Sequence, residues 1–151
     1  MLNSIYNQQI LYYAGNVTRV GKIEHYNGTA TETARICGSR VCVELLLKDE
    51  KIVDFGHEVK ACALGQASSA MMAEIIIGSE AEALFQLQKT MHCFLKEDGP
   101  EPSGDFKLFA CLEPVKEYKN RHASALLTFD AVAKALQQAQ NAGSLIHTNI
   151  L

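Results

Sequence analysis

Long apolar runs are missing from this 151-residue chain; the longest uninterrupted ones, 10–14 and 108–112, are five residues each. A membrane-spanning helix needs about 20, so none is expected. Lysine and arginine are absent before Arg19, which removes the basic region of a secretory leader and the arginines of a transit peptide. There is no excess of positive charge either: the net charge is −3, with no basic footprint for nucleic acid. Cysteine is too sparse, at five residues, for a disulfide scaffold, and the odd number forbids complete pairing within the chain. No two cysteines form a C-x-x-C pair, so finger and ribbon zinc sites are not signalled. Internal repeats and low-complexity segments are also lacking. These absences leave one globular domain in a reducing compartment, expected to be cytoplasmic, with neither nucleic acid nor membrane as partner. In such a place, spaced cysteines bind metal, do redox chemistry or simply pack.

The apolar pattern predicts an α+β domain over residues 1–140 and a tail over 141–151. Leu2, Ile5, Tyr6 and Ile10 share one face of a helix over 2–14, stopped at Gly15. Three strand segments follow, over 29–36, 41–47 and 51–60. Ala30, Ala34 and Ile36 fall on one side of the first, and Val41, Val43, Leu45 and Leu47 form the apolar face of the second. Their short connections predict a three-stranded antiparallel meander. Beyond it the period turns helical: a helix over 64–77 ends at Gly78, and Ser79 with Glu82 forms a capping box for a second, to about Lys96. Two prolines and two glycines mark 97–105 as a loop. A short helix over 106–112 stops near Pro114, and the last covers 123–139. The helices are expected on one face of the sheet.

Position separates the cysteines. Cys37, in the Cys37-Gly38-Ser39 turn between two strands, is held at a sheet end, although a small buried residue is the plain alternative. Cys62 stands where a strand gives way to a helix, and a helix N-terminus favours thiolate. Cys42, in mid-strand, and Cys93, inside an amphipathic helix, read as packing residues. Cys111, just before Pro114, stays ambiguous. His92 adjoins Cys93, but neighbours on a helix point about 100° apart and make no chelate. His122 opens the last helix and, taken alone, is as well read as a surface or capping residue.

Together these residues resemble the iron–sulfur cluster scaffold family: the IscU and SufU proteins and the N-terminal domain of NifU. The resemblance runs over about 2–138. Its marks are Cys37-Gly38, Cys62 leading into Gln66-Ala67-Ser68-Ser69, Leu112-Glu113-Pro114-Val115-Lys116, and His122. It implies that Cys37, Cys62 and His122 ligate a transient Fe–S cluster or Zn²⁺, with Cys111 as a possible additional ligand. Two positions depart from the family pattern: Ser39 replaces an aspartate, and Ala123 stands where the third cysteine is expected. The implied partners are a cysteine desulfurase, apo-protein acceptors and, through Leu112 to Lys116, a heat-shock chaperone. Glu113 in place of a proline weakens that last expectation, and a helix stopped by Pro114 explains the stretch equally well. The implied function is assembly and transfer of clusters. A zinc-binding or metal-free adaptor of the same machinery is the alternative, and a thiol enzyme with Cys62 as nucleophile and His122 as base is a third reading.

Overall fold

The computed structural model describes residues 6–142 and 147–148. Three strands form the antiparallel sheet expected from the sequence, in the order β2 (Gly28–Ala34), β3 (Ser39–Lys48), β4 (Lys51–Lys60). Strand β1 (His25–Tyr26) pairs separately with β5 (His147–Thr148). The helices are α1 (Gln8–Ala14), α2 (Ala63–Ile75), α3 (Ala81–Lys96) and α4 (His122–Ala142). A 3-10 segment, Gly104–Glu117, and a 3-10 turn, Lys119–Arg121, lie between α3 and α4.

Alternation decides how the sheet packs. Val41, Val43 and Leu45 are fully buried on its inner face, and each such side chain contributes about 1.5–3 kcal/mol by leaving water. Helix α4 lies across β2 and β3 there, α2 packs between α4 and β4, α3 flanks α4, and α1 rests on α2. Gly28 sets the approach of α4, because a Cβ at that position would overlap the carbonyl oxygen of Ala135. On the outer face, residues 19–23 strap the edge of β4: His57 N–H donates to Arg19 O at 3.1 Å, Gly21 N–H to His57 O at 2.9 Å, and Ile23 N–H to Glu44 Oε1 at 3.1 Å.

Several expectations need correction. Ile36 is not on the buried side of a strand; β2 ends at Ala34 and Ile36 is 76% exposed. Ser79 and Glu82 form no capping box. Ser79 Oγ turns back to donate to Ile75 O at 2.7 Å, and the residue before α3 is Glu80, with no side-chain cap. Pro114 does not stop a helix but sits inside the 3-10 segment. In a 3-10 ladder the missing Pro114 N–H would have bonded Cys111 O. Asn7 Nδ2 donates to that carbonyl instead, at 2.8 Å, so the proline leaves no orphan acceptor. Asn7 also caps α1 through its Oδ1, 2.8 Å from Ile10 N. Leu2 and Ile5 lie outside the described residues. So does most of the expected tail, although 141–142 extend α4 and 147–148 pair with β1.

Candidate functional site

Three chain segments meet at one end of the sheet. The first is the β2–β3 turn. Gly38 adopts φ +71° there, a region where a side chain is strained, and its N–H closes the turn onto Ala34 O at 2.8 Å. The turn leaves Cys37 exposed. The second is the β4–α2 junction, where Cys62 occupies the N-cap of α2 with extended backbone and is half-buried. The third is the first turn of α4. Gly65 lets it come close: a Cβ at Gly65 would crowd Ala61 and approach Ser124 O to 3.3 Å.

Two buried hydroxyls tie these segments together. Ser124 Oγ lies 2.9 Å and Ser39 Oγ 3.0 Å from Cys37 Sγ. Ser39 Oγ also accepts from Cys62 N–H at 3.4 Å, so one hydroxyl spans both cysteine-bearing segments. As a thiolate, Cys37 accepts from both serines. Ser124 first, and Ser39 second, hold its pKa below the ordinary thiol value against the opposing effect of burial.

The expected residues divide. The Cys37 sulfur and the Cys62 backbone N–H meet at Ser39 Oγ, which brings the two cysteine-bearing segments together. His122 is buried and engaged elsewhere, its Nε2–H donating to Val115 O and Lys116 O at 3.0 Å each. His122 and Ser124 are two residues apart on α4, about 200° around the helix, so the serine faces Cys37 while the histidine faces the 3-10 segment. No hydrogen bond joins His122 to either thiol, so nothing poises it as a base for Cys62. Ala123 lies exposed between the two. Cys111 is not beside the other thiols: its Sγ lies 3.7 Å from Met71 Sδ. Met71 is nine residues beyond Cys62 on α2, about 13 Å along the axis. Burial pushes the Cys111 thiol up to about 11. Among the described residues no group of three or more His, Cys, Asp or Glu side chains could hold a metal ion.

Leu112 and Val115 are fully buried, and Lys116 Nζ is held 2.8 Å from Asp98 Oδ1 and 4.5 Å over the Phe94 ring. Its apolar residues Leu112 and Val115 are folded in, while Glu113 is exposed and Pro114 and Lys116 are partly so. Ser124 was invisible to sequence reading because its role depends on the approach of α4 to a turn 87 residues earlier. The only signal was small Gly65 opposite it.

The fold and site together define a class, a small α+β domain that carries an exposed, hydroxyl-supported thiol on a turn joined to a cysteine-capped helix start. The chain belongs to the family of NifU-like N-terminal domains, whose model matches residues 5–125. It is 26% identical over 136 residues to an iron–sulfur cluster assembly scaffold protein IscU of Thermotoga maritima, spanning 89% of this chain and 94% of that protein. Among solved structures, a nitrogen-fixing NifU-like protein (N-terminal) from Brucella abortus superposes with a TM-score of 0.91 and 48% identity, covering 93% of this chain and 97% of that one. A putative SUF-system scaffold from Fervidobacterium islandicum gives a TM-score of 0.78 at 28% identity, covering 89% and 98%. No helix among the described residues is long and apolar enough to cross a membrane.

Proposed function

We propose that the protein is an iron–sulfur cluster assembly scaffold, which receives iron and sulfide as cargo and passes the cluster to apo-proteins. The observation that carries this reading is the family fold with the Cys37 turn and the Cys62 helix start joined through Ser39, whose hydroxyl meets the Cys37 sulfur and the Cys62 backbone N–H. Soft thiolates suit iron and zinc, and exposure suits cargo that must leave.

Cys37 and Cys62 are the thiolate donors in this reading. His122, the third ligand that the family resemblance implies, has Nε2 spent on two carbonyls and faces the 3-10 segment, so it serves only if α4 turns its Nδ1 toward the thiols. Cys111 is left out. Two thiolates satisfy the terminal positions of one iron in a [2Fe–2S] unit, and Ala123 adds no third. The partners implied are a cysteine desulfurase as sulfur donor and apo-proteins as acceptors. A chaperone that grips Leu112 to Lys116 must first free Leu112 and Val115 from the core.

Anaerobic reconstitution with ferrous iron and sulfide tests the proposal, read by visible absorption and by iron and sulfide analysis. The native chain is expected to take up a cluster, Cys37→Ser and Cys62→Ser to lose it, and Cys111→Ser to retain it. A chain that takes up no cluster overturns the reading. The missing third thiol favours a second reading, a zinc-binding or metal-free adaptor. It predicts zinc or no metal in the purified protein and measurable binding to a desulfurase without a reconstituted cluster.

A further inference from the structure

Away from the cysteines, one buried side chain holds the strap that crosses β4. His57 is 1% exposed. Its Nε2 lies 2.8 Å from Thr18 O, its backbone N–H donates to Arg19 O at 3.1 Å, and its carbonyl accepts from Gly21 N–H at 2.9 Å. A carbonyl can only accept, so Nε2 carries the proton of the neutral ring and Nδ1 is bare. That Nδ1 is buried and has no hydrogen-bond partner among the described residues. The strap itself is lightly held. Thr18, Arg19, Val20 and Lys22 are exposed, Val20 by 67%. Arg19 takes a left-handed conformation at φ +55°, uncommon for a residue with a side chain. Beneath Gly21 and Lys22 a pocket of about 20 Å³ remains over Cys42 and Glu58, room for a water where packed side chains would grip. Beyond His57, Ile23 anchors the strap at Glu44 and over Gly56.

We propose that His57 is an acid-operated latch: when Nδ1 takes a proton, residues 18–23 lift from β4 while the rest of the sheet stays folded. In the closed form a second ring N–H would have no acceptor and its charge no water. Burial accordingly pushes the imidazole below its ordinary range, against the opposing hydrogen bond to Thr18. Surrounding charges do not rescue the protonated ring. Arg19 and Lys22 on the strap are themselves cations. Val41, Val43 and Leu45 of β3 and Phe55 of β4, on the ring's side of the sheet, carry none. Cys42, Glu44, Asp54 and Glu58 alternate to the other face. Helix α2, the other element packed on β4, has one carboxylate, the exposed Glu74, and Cys62 at its start. The lifted ring reaches water and titrates near 6.5, above its closed value. The latch is therefore fully shut above about pH 6.5 and yields below it. The open population rises by up to about tenfold per pH unit until the closed value is reached. β4 runs on to Cys62, five residues past His57, so lifting also frees one edge of the strand that delivers that thiol.

Amide hydrogen exchange of the whole metal-free chain tests the latch, at about pH 7.5, 6.5 and 5.5, read by NMR as protection factors so that the intrinsic pH effect on exchange is removed. The Gly21 and His57 amides, which join strap to strand, are expected to lose about tenfold in protection between the highest and lowest pH. At every pH they are expected to stay at least about a hundredfold less protected than the amides of central β3, because the strap opens without the sheet. His57→Gln keeps an N–H for Thr18 but does not titrate, so its Gly21 protection is expected to change less than about twofold. Should that variant not fold, the imidazole nitrogen shifts of the native chain decide: an Nε2–H tautomer at pH 7.5 and a midpoint below 6.5 are expected. A pH-independent strap, a pH dependence that persists in His57→Gln, or strap protection equal to that of β3 overturns the inference. So does an ordinary His57 midpoint or the opposite tautomer. None of these readouts involves iron or sulfide, so the latch and the scaffold reading fail separately.

Discussion

Cys37 owes its chemistry to two serines that approach from different directions in the chain. Ser39 comes from the same turn, and Ser124 from the far end of the sequence. Hydrogen bonds donated to sulfur favour the thiolate, so Cys37 ionises at lower pH than an ordinary thiol. Ser124→Ala removes the larger of these effects. In metal-free protein the pH midpoint of Cys37 alkylation by iodoacetamide, followed by mass spectrometry, is expected to move upward. A midpoint unchanged from wild type would show that Ser124 does not act on the thiol. Ala123 offers the complementary experiment. It is exposed in the first turn of α4, next to the serine that touches Cys37. Ala123→Cys adds a soft ligand beside the Cys37 site, and is expected to slow cluster loss to a chelator about tenfold or more, read as decay of visible absorption.

Two helices reach their places through contacts that local pattern does not contain. Asp130 on α4 accepts from His92 Nε2 at 2.7 Å and from Gln88 Nε2 at 2.9 Å, clasping α3 to α4. Burial raises the Asp130 pKa, but the His92 and Gln88 hydrogen bonds and the charges of His92 and Lys96 outweigh it and leave it below the ordinary value. Since the folded pKa lies below that of the unfolded chain, about 3.9, the clasp stabilises fully above that pH. Its contribution is lost as pH falls through the lower folded value. Asp130→Ala is expected to cost about 1–3 kcal/mol at neutral pH in urea unfolding and to flatten the acid limb of the stability curve. Gly28 governs the other side of α4. Gly28→Ala forces a Cβ against Ala135 O, and a loss of about 1–3 kcal/mol is expected from the resulting overpacking.

In the whole molecule, the inner face of β3 and the buried face of α4 form one core shared by every helix. A chain of this size with a single core unfolds as a unit. Far-UV circular dichroism and tyrosine fluorescence are therefore expected to give coincident urea transitions; separated transitions would show that α1 or the 3-10 segment melts independently. The three strands of the main sheet, the helix order and the sheet-end position of Cys37 were legible, because alternation and helical period report burial directly, whereas the two-residue pair β1–β5 was too short to show a period. β4 occupies the residues expected of it, and α2 to α4 depart by only a few residues at their ends. Pro114 was misleading: its effect depended on Asn7, 104 residues from the carbonyl it satisfies. Ile36 was misleading for a related reason, since alternation continues past the point where the sheet stops covering it.

The sequence by itself determined the α+β meander and the placing of Cys37 and Cys62 at two loop ends, since these follow from residue type and period along the chain. Tertiary structure decided the rest. It set Ser124 on Cys37, turned His122 toward the carbonyls of Val115 and Lys116, and carried Cys111 to Met71. The physical reason is common to all of these: hydrogen bonds and charges act through space over a few ångströms, and which side chains come that close is settled only when α2 and α4 close on the sheet.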